Sequence, residues 1–334
     1  MSAAAAQPAA SGVYLRSYLA PFEAALSRPD VTDIYVNRPG ELWIETLGGN
    51  IERHEDDALS EQTLARLARQ VAALTHQGVS REHPLLAATL ADGSRIQIVA
   101  PPATRGPLAL AIRRQVAASL TLQDYEAEEM FAETRTGAHA DQHDDELRRL
   151  IIDRRFAAAL ALAVRARKNI VVSGGTSTGK TTFLNALLRE IPGEERLIVI
   201  EDTPELVFHH ENSVGLVSVR GELGEAAVTV DHLLSASLRM RPDRIILGEL
   251  RGVEALSFLR AINTGHPGSM TTIHADTPES AVEQLALLVL QGGTKLSRAD
   301  VQHYVKQSVS IFVQLGRSQG RRHVESIWVP KLLD

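Results

Sequence analysis

The sequence of 334 residues contains no cysteine and no long apolar run. The absence of cysteine excludes disulfide bonds and thiolate zinc sites, and it fits a reducing compartment. No stretch approaches the roughly 20 uninterrupted apolar residues that a membrane-spanning helix needs. Residues 1–8 lack the basic region and the apolar run of a signal peptide. We therefore expect a cytoplasmic protein without a membrane-spanning segment.

An excess of positive charge is also absent, since the formal net charge is −6 at pH 7. A surface that neutralises nucleic-acid phosphates normally carries clustered lysine and arginine. We therefore expect no direct nucleic-acid binding as the main role, although a local basic groove is compatible with this net charge. The chain is long enough for two domains, and its hydrophobic content of 44% supports well-packed cores.

Residues 173–182 form the most informative motif, SGGTSTGKTT, which is a complete G-x-x-x-x-G-K-[ST] phosphate loop. Residues 169–172 predict a short buried strand before the loop, and residues 182–189 predict a helix after it. The glycines let successive backbone N–H groups converge on phosphate oxygens, and the start of the helix adds partial positive charge. The predicted nucleotide-binding residues are Gly174, Gly175, Thr176, Ser177, Thr178, Gly179, Lys180, Thr181 and Thr182.

Two side chains of this loop have individual roles in the motif. Lys180 is expected to reach the β and γ phosphates, and the Thr181 hydroxyl is expected to hold Mg²⁺. The loop therefore predicts that the chain binds a nucleoside triphosphate together with Mg²⁺.

Three further predicted strands each end in a polar residue, namely Glu201, Glu249 and His274. The carboxyl ends of the strands are the ligand-binding edge of a doubly wound sheet. Hydrolysis needs one carboxylate near Mg²⁺ and one that orients water, so Glu201 and Glu249 are candidate catalytic residues. For His274, a structural histidine and a histidine that contacts phosphate both remain compatible with the sequence.

The pattern of elements divides the chain into three parts. Residues 1–120 predict a smaller α+β domain, whose strands are expected to form a mixed sheet with helical cover. Residues 121–149 are acidic and polar, which indicates an interdomain linker; we interpret His139 and His143 within it as part of a solvated segment and not as a metal site. In residues 150–334 strands and helices alternate, which predicts an α/β domain with a doubly wound, mostly parallel sheet.

Four blocks in a fixed order closely resemble the Walker A, Asp box, Walker B and His box of the secretion-superfamily traffic ATPases. They are the phosphate loop and residues 200–205, 238–251 and 265–278. Within this superfamily, the chain is most similar to the hexameric ATPase of bacterial type IV secretion and conjugation systems. Residues 31–41 also resemble that branch, so the similarity spans nearly the whole chain.

The resemblance implies a RecA-like P-loop ATPase domain preceded by the α+β domain, in a homohexamer that holds the nucleotide between the two domains. It implies ATP and Mg²⁺ as ligands, with hydrolysis coupled to macromolecule transport or pilus assembly. It further implies inner-membrane components of a secretion system as partners, and peripheral attachment to the cytoplasmic face of the inner membrane.

The same resemblance assigns roles to the candidate site residues. It implies that Glu201 polarises the attacking water, that Glu249 supports Mg²⁺ through a water molecule, and that His274 reads the nucleotide state. Lys180, which contacts the phosphates, and His274 are therefore counted with the two carboxylates as catalytic candidates.

The resemblance also assigns a role to arginines of the N-terminal domain. Arg95, Arg113 and Arg114 match a basic cluster that brings this domain onto the phosphates in relatives. An arginine supplied to developing phosphoryl charge is worth ~10³ to 10⁵ in rate. Arg95 and Arg113 are thus candidate catalytic residues and Arg114 is a candidate nucleotide-binding residue, while Arg105 and Arg251 are weaker candidates.

Other functions are compatible with a phosphate loop. A P-loop kinase or nucleotide-dependent enzyme acting on a small acceptor is disfavoured, because the sequence shows no acceptor pocket or arginine-rich lid. A nucleotide-dependent switch is disfavoured by Glu201 and Glu249, and the lack of an N-K-x-D sequence argues against guanine specificity. A DNA-translocating ATPase is disfavoured by the net charge, but a pore lined locally with basic residues keeps it open.

Overall fold

A computed structural model of the chain describes residues 15–116, 121–127, 129–132, 134, 142–219 and 225–331. These residues form two β-sheets, one of six strands and one of seven. Within the same residues, no helix combines the length and the apolar character that crossing a bilayer requires. His139, one of the two linker histidines, lies outside the described residues.

The N-terminal sheet has the strand order β3-β2-β1-β6-β5-β4 and is antiparallel throughout. The prediction of a mixed sheet was therefore wrong: β3 and β4, which a helix connects, lie at opposite edges of the sheet, and no crossover returns a strand in parallel. The strands are β1 (Val31–Val36), β2 (Glu41–Thr46), β3 (Ile51–Glu55), β4 (Leu85–Thr89), β5 (Arg95–Val99) and β6 (Ala109–Arg113).

Two helices accompany this sheet, α1 (Glu23–Ser27) and α2 (Glu61–Leu74). Helix α2 begins at Ser60, whose hydroxyl accepts a hydrogen bond from the Thr63 N–H at 3.2 Å, a standard N-cap. Leucines and valines at helical spacing on one face of α2 are fully buried against the sheet: Leu64, Leu67 and Val71. The predicted α+β character of this part of the chain is confirmed.

The segment predicted as a linker contains two helices, α3 (Leu122–Ala127) and α4 (Asp144–Ile152). Helix α4 crosses the predicted boundary between residues 149 and 150. Leu147 and Leu150 of α4 are buried in the same core cluster as helix α5 (Phe156–Arg165), which follows it. The last residues of the acidic segment therefore pack with the C-terminal part of the chain.

The C-terminal sheet has the order β13-β12-β7-β11-β10-β8-β9 and is parallel except for β13. This confirms the doubly wound, mostly parallel α/β domain. The strands are β7 (Ile170–Gly174), β8 (Leu197–Glu201), β9 (Ser213–Val217), β10 (Arg244–Leu247), β11 (Met270–Ile273), β12 (Ile311–Ser318) and β13 (Arg321–Trp328). The helices around it are α5, α6 (Lys180–Leu188), α7 (Val230–Ser237), α8 (Glu254–Asn263), α9 (Pro278–Gln291) and α10 (Arg298–Ser308).

Both faces of this sheet are covered, as the apolar sequence of its strands requires. In β7, Val171 belongs to the core cluster on one face, and Val172 belongs to the cluster on the other. Because the central strands run in parallel, their carboxyl ends lie at one edge of the sheet. That edge carries the phosphate loop and the three polar residues that follow β8, β10 and β11.

The two sheets of one chain are docked onto each other. The loop between β5 and β6, residues 100–108, forms an antiparallel bridge with the edge strand β9, in which the Val217 N–H donates to the Ala103 carbonyl at 2.9 Å. Deeper in the interface, the buried Arg196 guanidinium lies 4.0 Å from the ring centroid of Tyr35 and donates to Asn37 Oδ1 at 2.7 Å. The N-terminal sheet therefore packs on the C-terminal sheet of its own chain.

Candidate nucleotide site

The phosphate loop connects the end of β7 to the start of α6. Gly174 is the last residue of β7. A Cβ atom at this position would lie 2.6 Å from Thr178 Oγ1 and 2.9 Å from the Leu315 carbonyl oxygen, so only glycine fits. Gly179 precedes α6 with φ of 93°, a conformation that favours glycine, and Ser177 also has positive φ. The sequence therefore curls the backbone so that the loop faces the start of the helix.

Lys180 is held over the loop by its own backbone. Its Nζ donates to the carbonyl oxygens of Gly174 at 3.0 Å and Gly175 at 3.2 Å, and lies 3.2 Å from Nδ1 of His274. Burial lowers the pKa of Lys180, and the nearby Glu249 carboxylate opposes this shift. The ammonium group thus lies against the backbone of the loop.

A pocket of about 600 Å³ opens in front of the loop. Most predicted nucleotide-binding residues line it, whereas three shape the loop from behind: Gly174, Gly175 and Thr178. The lining residues from the motif are Thr176, Ser177, Gly179, Lys180, Thr181 and Thr182. Oxygen donors suited to Mg²⁺ line the same pocket, namely the Thr181 hydroxyl and the carboxylates of Asp202 and Glu249.

Glu201, at the end of β8, is almost fully buried beside this pocket. Its Oε1 accepts hydrogen bonds from the backbone N–H groups of Glu205 at 2.9 Å and Leu206 at 2.8 Å. Its Oε2 forms an ion pair with Arg105 of the β5–β6 loop. The carboxylate is therefore held in one orientation by its own chain.

Glu249 and His274 meet on the other side of the pocket. The Nε2 atom of His274 lies 2.8 Å from Oε1 of Glu249, and Arg251 forms an ion pair with the same carboxylate. Arg251 also lies 3.5 Å from a carboxylate oxygen of Asp202. His274 thus links the lysine of the loop to the glutamate that follows β10.

Arg95, Arg113 and Arg114 do not reach this pocket in their own chain. Arg95 and Arg113 are paired across β5 and β6 at the end of the hairpin opposite the 100–108 loop, and they line a separate cleft with Arg114. Arg114 donates from Nη1 to the Val31 carbonyl at 3.2 Å. In this structure Arg95 and Arg113 also line a cleft with Leu238 and Arg239 of the C-terminal part, away from the phosphate loop.

Three arginines in the site were weakly predicted or missed. Arg105 and Arg251, which were weaker candidates, both contact carboxylates of the site. Arg322 was missed: it lies on β13 beside the loop, where a Cβ atom at Gly179 would be 3.1 Å from its Cδ. Its placement depends on β12 pairing with β7, which no local motif around Arg322 signals.

Comparison with known proteins agrees with this geometry. Residues 17–318 match the family model described as type II/IV secretion system protein. The chain is 36% identical over 325 residues to the type IV secretion system protein VirB11 of Bartonella henselae, covering 93% of this chain and 91% of that protein. It is 40% identical over 314 residues to the type IV secretion system protein PtlH of Bordetella pertussis, covering 91% of each.

A solved structure shows the same fold. The crystal structure of the VirB11 ATPase from the Brucella suis type IV secretion system, in complex with sulphate, superposes with a TM-score of 0.90 at 35% identity and covers 96% of each chain. Both the sequence match and the structural match extend over both sheets. The chain therefore belongs to the type II/IV secretion system protein family, as a traffic ATPase of the type IV branch.

Proposed function

We propose that this chain hydrolyses ATP as one subunit of a hexameric ring that drives transport or assembly in a type IV secretion system. One observation carries the proposal: Lys180, Glu201, Glu249 and His274 follow four neighbouring strands and line one pocket in front of the phosphate loop. The domain organisation is also part of the proposal: an N-terminal domain, a linker, and a C-terminal ATPase domain that starts at α4.

Each side chain has a role in the proposed reaction. Lys180 and the loop N–H groups bind the phosphates, and Glu201 orients the water that attacks the γ phosphate. Thr181 would hold Mg²⁺ directly and Glu249 through a water molecule; when bound, the ion would supply charge neutralisation for the phosphate oxygens. His274, between Lys180 and Glu249, contacts the γ phosphate and exchanges its carboxylate partner when that phosphate is present.

The remaining charge comes from a neighbouring subunit in this proposal. Arg95 and Arg113 sit together on the surface, with Asp33 no closer than 4.0 Å to the Arg113 guanidinium, and Arg114 lies beside them. In a ring, successive subunits meet head to tail. The end of the N-terminal sheet that carries Arg95 and Arg113 would then face the nucleotide site of the next subunit, while the 100–108 loop at the other end faces the site of its own subunit. Arg95 and Arg113 then complete the active site of the adjacent subunit, with Arg114 contributing to nucleotide binding.

The relatives of this chain indicate where the ring acts. The Bartonella henselae and Bordetella pertussis relatives are described as type IV secretion system proteins. By analogy, this chain docks on inner-membrane components of such a system and attaches peripherally to the cytoplasmic face. The process it would drive is conjugation, effector export or pilus assembly, with no direct nucleic-acid binding as its main role.

The test is ATP turnover measured together with oligomer size. Lys180→Ala removes the ammonium group but leaves the loop backbone, so we expect turnover to fall by at least ~10³-fold while circular dichroism is unchanged. Lys295→Ala, at an exposed position between α9 and α10, is the matched control and should keep wild-type turnover. Unchanged hydrolysis in Lys180→Ala, transfer of phosphate to a small acceptor, or a strictly monomeric active enzyme would each contradict the proposal.

A further inference from the structure

Arg105 connects the N-terminal sheet to the carboxylate beside the phosphate loop. We propose that Arg105 is a positioning residue for Glu201, through which the N-terminal sheet of a chain orients the water-activating carboxylate of that same chain. The inference rests on the proposed role of Glu201. It assigns Arg105 a task different from that of Arg95 and Arg113, which act on the phosphates.

The backbone around Arg105 is fixed to the edge of the C-terminal sheet. The Arg105 N–H donates to the Gly215 carbonyl at 2.9 Å, and the Thr104 hydroxyl donates to the same oxygen at 3.2 Å. The carbonyl of Ala103, the residue before Thr104, accepts a hydrogen bond from the Val217 N–H at 2.9 Å. The loop is therefore an added strand segment on β9, and its position follows the edge of that sheet.

The Arg105 side chain runs through a narrow passage toward Glu201. A Cβ atom on Gly215 would lie 2.5 Å from Arg105 Cδ, so glycine at position 215 leaves the space that the side chain occupies. The guanidinium lies 5.0 Å from the ring centroid of Phe208, and its Nη1 donates to the Leu206 carbonyl at 3.0 Å. Only 25% of the side chain is exposed. These contacts leave the guanidinium one direction, toward Oε2 of Glu201.

Arg105, Glu201 and Leu206 form a closed set of contacts. The Leu206 N–H donates to Oε1 of Glu201, its carbonyl accepts from Arg105, and Arg105 pairs with Oε2 of Glu201. Each group thereby limits the movement of the other two. A carboxylate held by two backbone N–H groups and one guanidinium has a single orientation, and such fixed orientation is what a catalytic base requires.

Charge balance makes the carboxylate depend on Arg105. The Glu201 side chain is only 3% exposed, and a buried carboxylate is costly unless a cation or hydrogen bonds compensate it. The cations across the pocket have other partners, since Lys180 contacts the loop carbonyls and His274, and Arg251 pairs with Glu249 and Asp202. Loss of Arg105 is therefore expected to turn Glu201 out of its orientation or to protonate it.

The experiment compares Arg105→Ala, Arg105→Lys and Gly215→Ala for ATP turnover. We expect kcat to fall by ~10- to 100-fold in Arg105→Ala, with KM for ATP changed less than about 3-fold, because Arg105 does not touch the phosphates. Arg105→Lys should restore part of kcat. Gly215→Ala keeps the charge but fills the passage, so it should reproduce the kcat defect. Arg81→Ala removes another arginine–glutamate pair between the two sheets, to Glu225, and should stay within about 2-fold of wild type.

A double-mutant cycle separates positioning from general damage to the fold. In a Glu201→Gln background, Arg105→Ala should lower kcat by less than about 2-fold further, because its target is already gone. An equal loss from Arg105→Ala in both backgrounds, or a wild-type kcat in Arg105→Ala alone, would overturn the inference. If Glu201→Gln itself keeps wild-type kcat, the proposed role of Glu201 fails instead, and the two failures are thereby distinguished.

Discussion

The two ends of the β5–β6 hairpin differ in what their arginines face. At the near end, the 100–108 loop joins β9, and Arg105 is mostly buried and paired with Glu201 beside the nucleotide pocket. At the far end, Arg95 and Arg113 are exposed and line a cleft away from that pocket. Four residues of β5 separate the two ends, which is about 13 Å at roughly 3.3 Å per residue.

This difference shows how one hairpin can act on two nucleotide sites. On our proposal, the buried arginine organises the site of its own chain, and the exposed arginines at the far end act on the site of another chain. The charge environment agrees, because Arg105 has a carboxylate partner in contact, whereas the Asp33 carboxylate lies 4.0 Å from Arg113. Exposed positive charge on a surface suits an anionic ligand brought by a neighbour.

The largest effect is expected from removing the far-end charge. Arg113→Ala should lower kcat of assembled rings by ~10³-fold, because an arginine at the transferred phosphoryl group neutralises charge in the transition state. ATP binding to the isolated chain, measured by fluorescence titration, should be nearly unchanged. Arg69→Ala, on the exposed face of α2, is the matched control. Equal loss of nucleotide binding by the single chain would place Arg113 in the site of its own subunit.

A second variant breaks the docking of the two sheets without touching either group of arginines. Arg196 is fully buried under Tyr35, its burial lowers its pKa to about 10, and it donates to Asn37 and to the Met240 carbonyl. Arg196→Ala leaves those acceptors without a donor and should lower the free energy of unfolding by about 3 kcal/mol, measured by urea denaturation. Arg196→Lys should recover little of the lost stability, since lysine lacks the planar guanidinium group with its several fixed N–H donors. Wild-type stability in both variants would show that the sheets dock by apolar packing alone.

A smaller effect is expected from acid. Burial lowers the pKa of His266 below its usual 6.5, with Arg241 adding to the shift, and His266 Nδ1 donates to the Pro242 carbonyl at 2.8 Å. Between pH 6.5 and the lowered pKa of folded His266, the unfolded chain therefore binds a proton that the folded chain does not. As the pH is lowered through this range, the free energy of unfolding should decrease by at most about 1.4 kcal/mol per pH unit. Above neutral pH, His266 should make no contribution to the pH dependence.

The control for this effect is His266→Gln, which keeps a hydrogen-bond donor but does not titrate. Urea unfolding between pH 5 and pH 8 should show a shallower acid dependence in His266→Gln than in wild type. Identical pH profiles would mean that other groups carry the acid sensitivity. Because Arg241 also pairs with Glu45 of the N-terminal sheet, the comparison reports on the segment next to the interface.

The sequence was sufficient for the phosphate loop and its neighbours because their signals are local. A glycine-rich motif between an apolar run and a helix predicts its own geometry. Glu201, Glu249 and His274 each come at the end of an apolar strand, and the ends of parallel strands lie at one edge of the sheet. The partner of Glu201 was not predictable in this way. The Thr104 side chain and its acceptor Gly215 are 111 residues apart in sequence, and their contact depends on how the two sheets dock.

The arginines illustrate the same limit. The family resemblance implies a role for basic residues of the N-terminal domain, and strand register then shows that Arg95 and Arg113 share one end of a hairpin. Which end meets which nucleotide follows from tertiary and quaternary packing. Arg322 is a related case, because β13 reaches the loop only through the pairing of β12 with β7.

The most direct test of this division of arginines is subunit mixing in co-expressed rings. Rings that combine Lys180→Ala with Arg113→Ala subunits should regain about a quarter of wild-type turnover, the share of interfaces in a random equal mixture that join an intact loop to an intact neighbouring arginine. Rings that combine Lys180→Ala with Arg105→Ala should regain none beyond the residual activity of each parent. Equal recovery in both mixtures, or recovery in neither, would contradict the assignment of Arg105 to its own chain and Arg113 to the next.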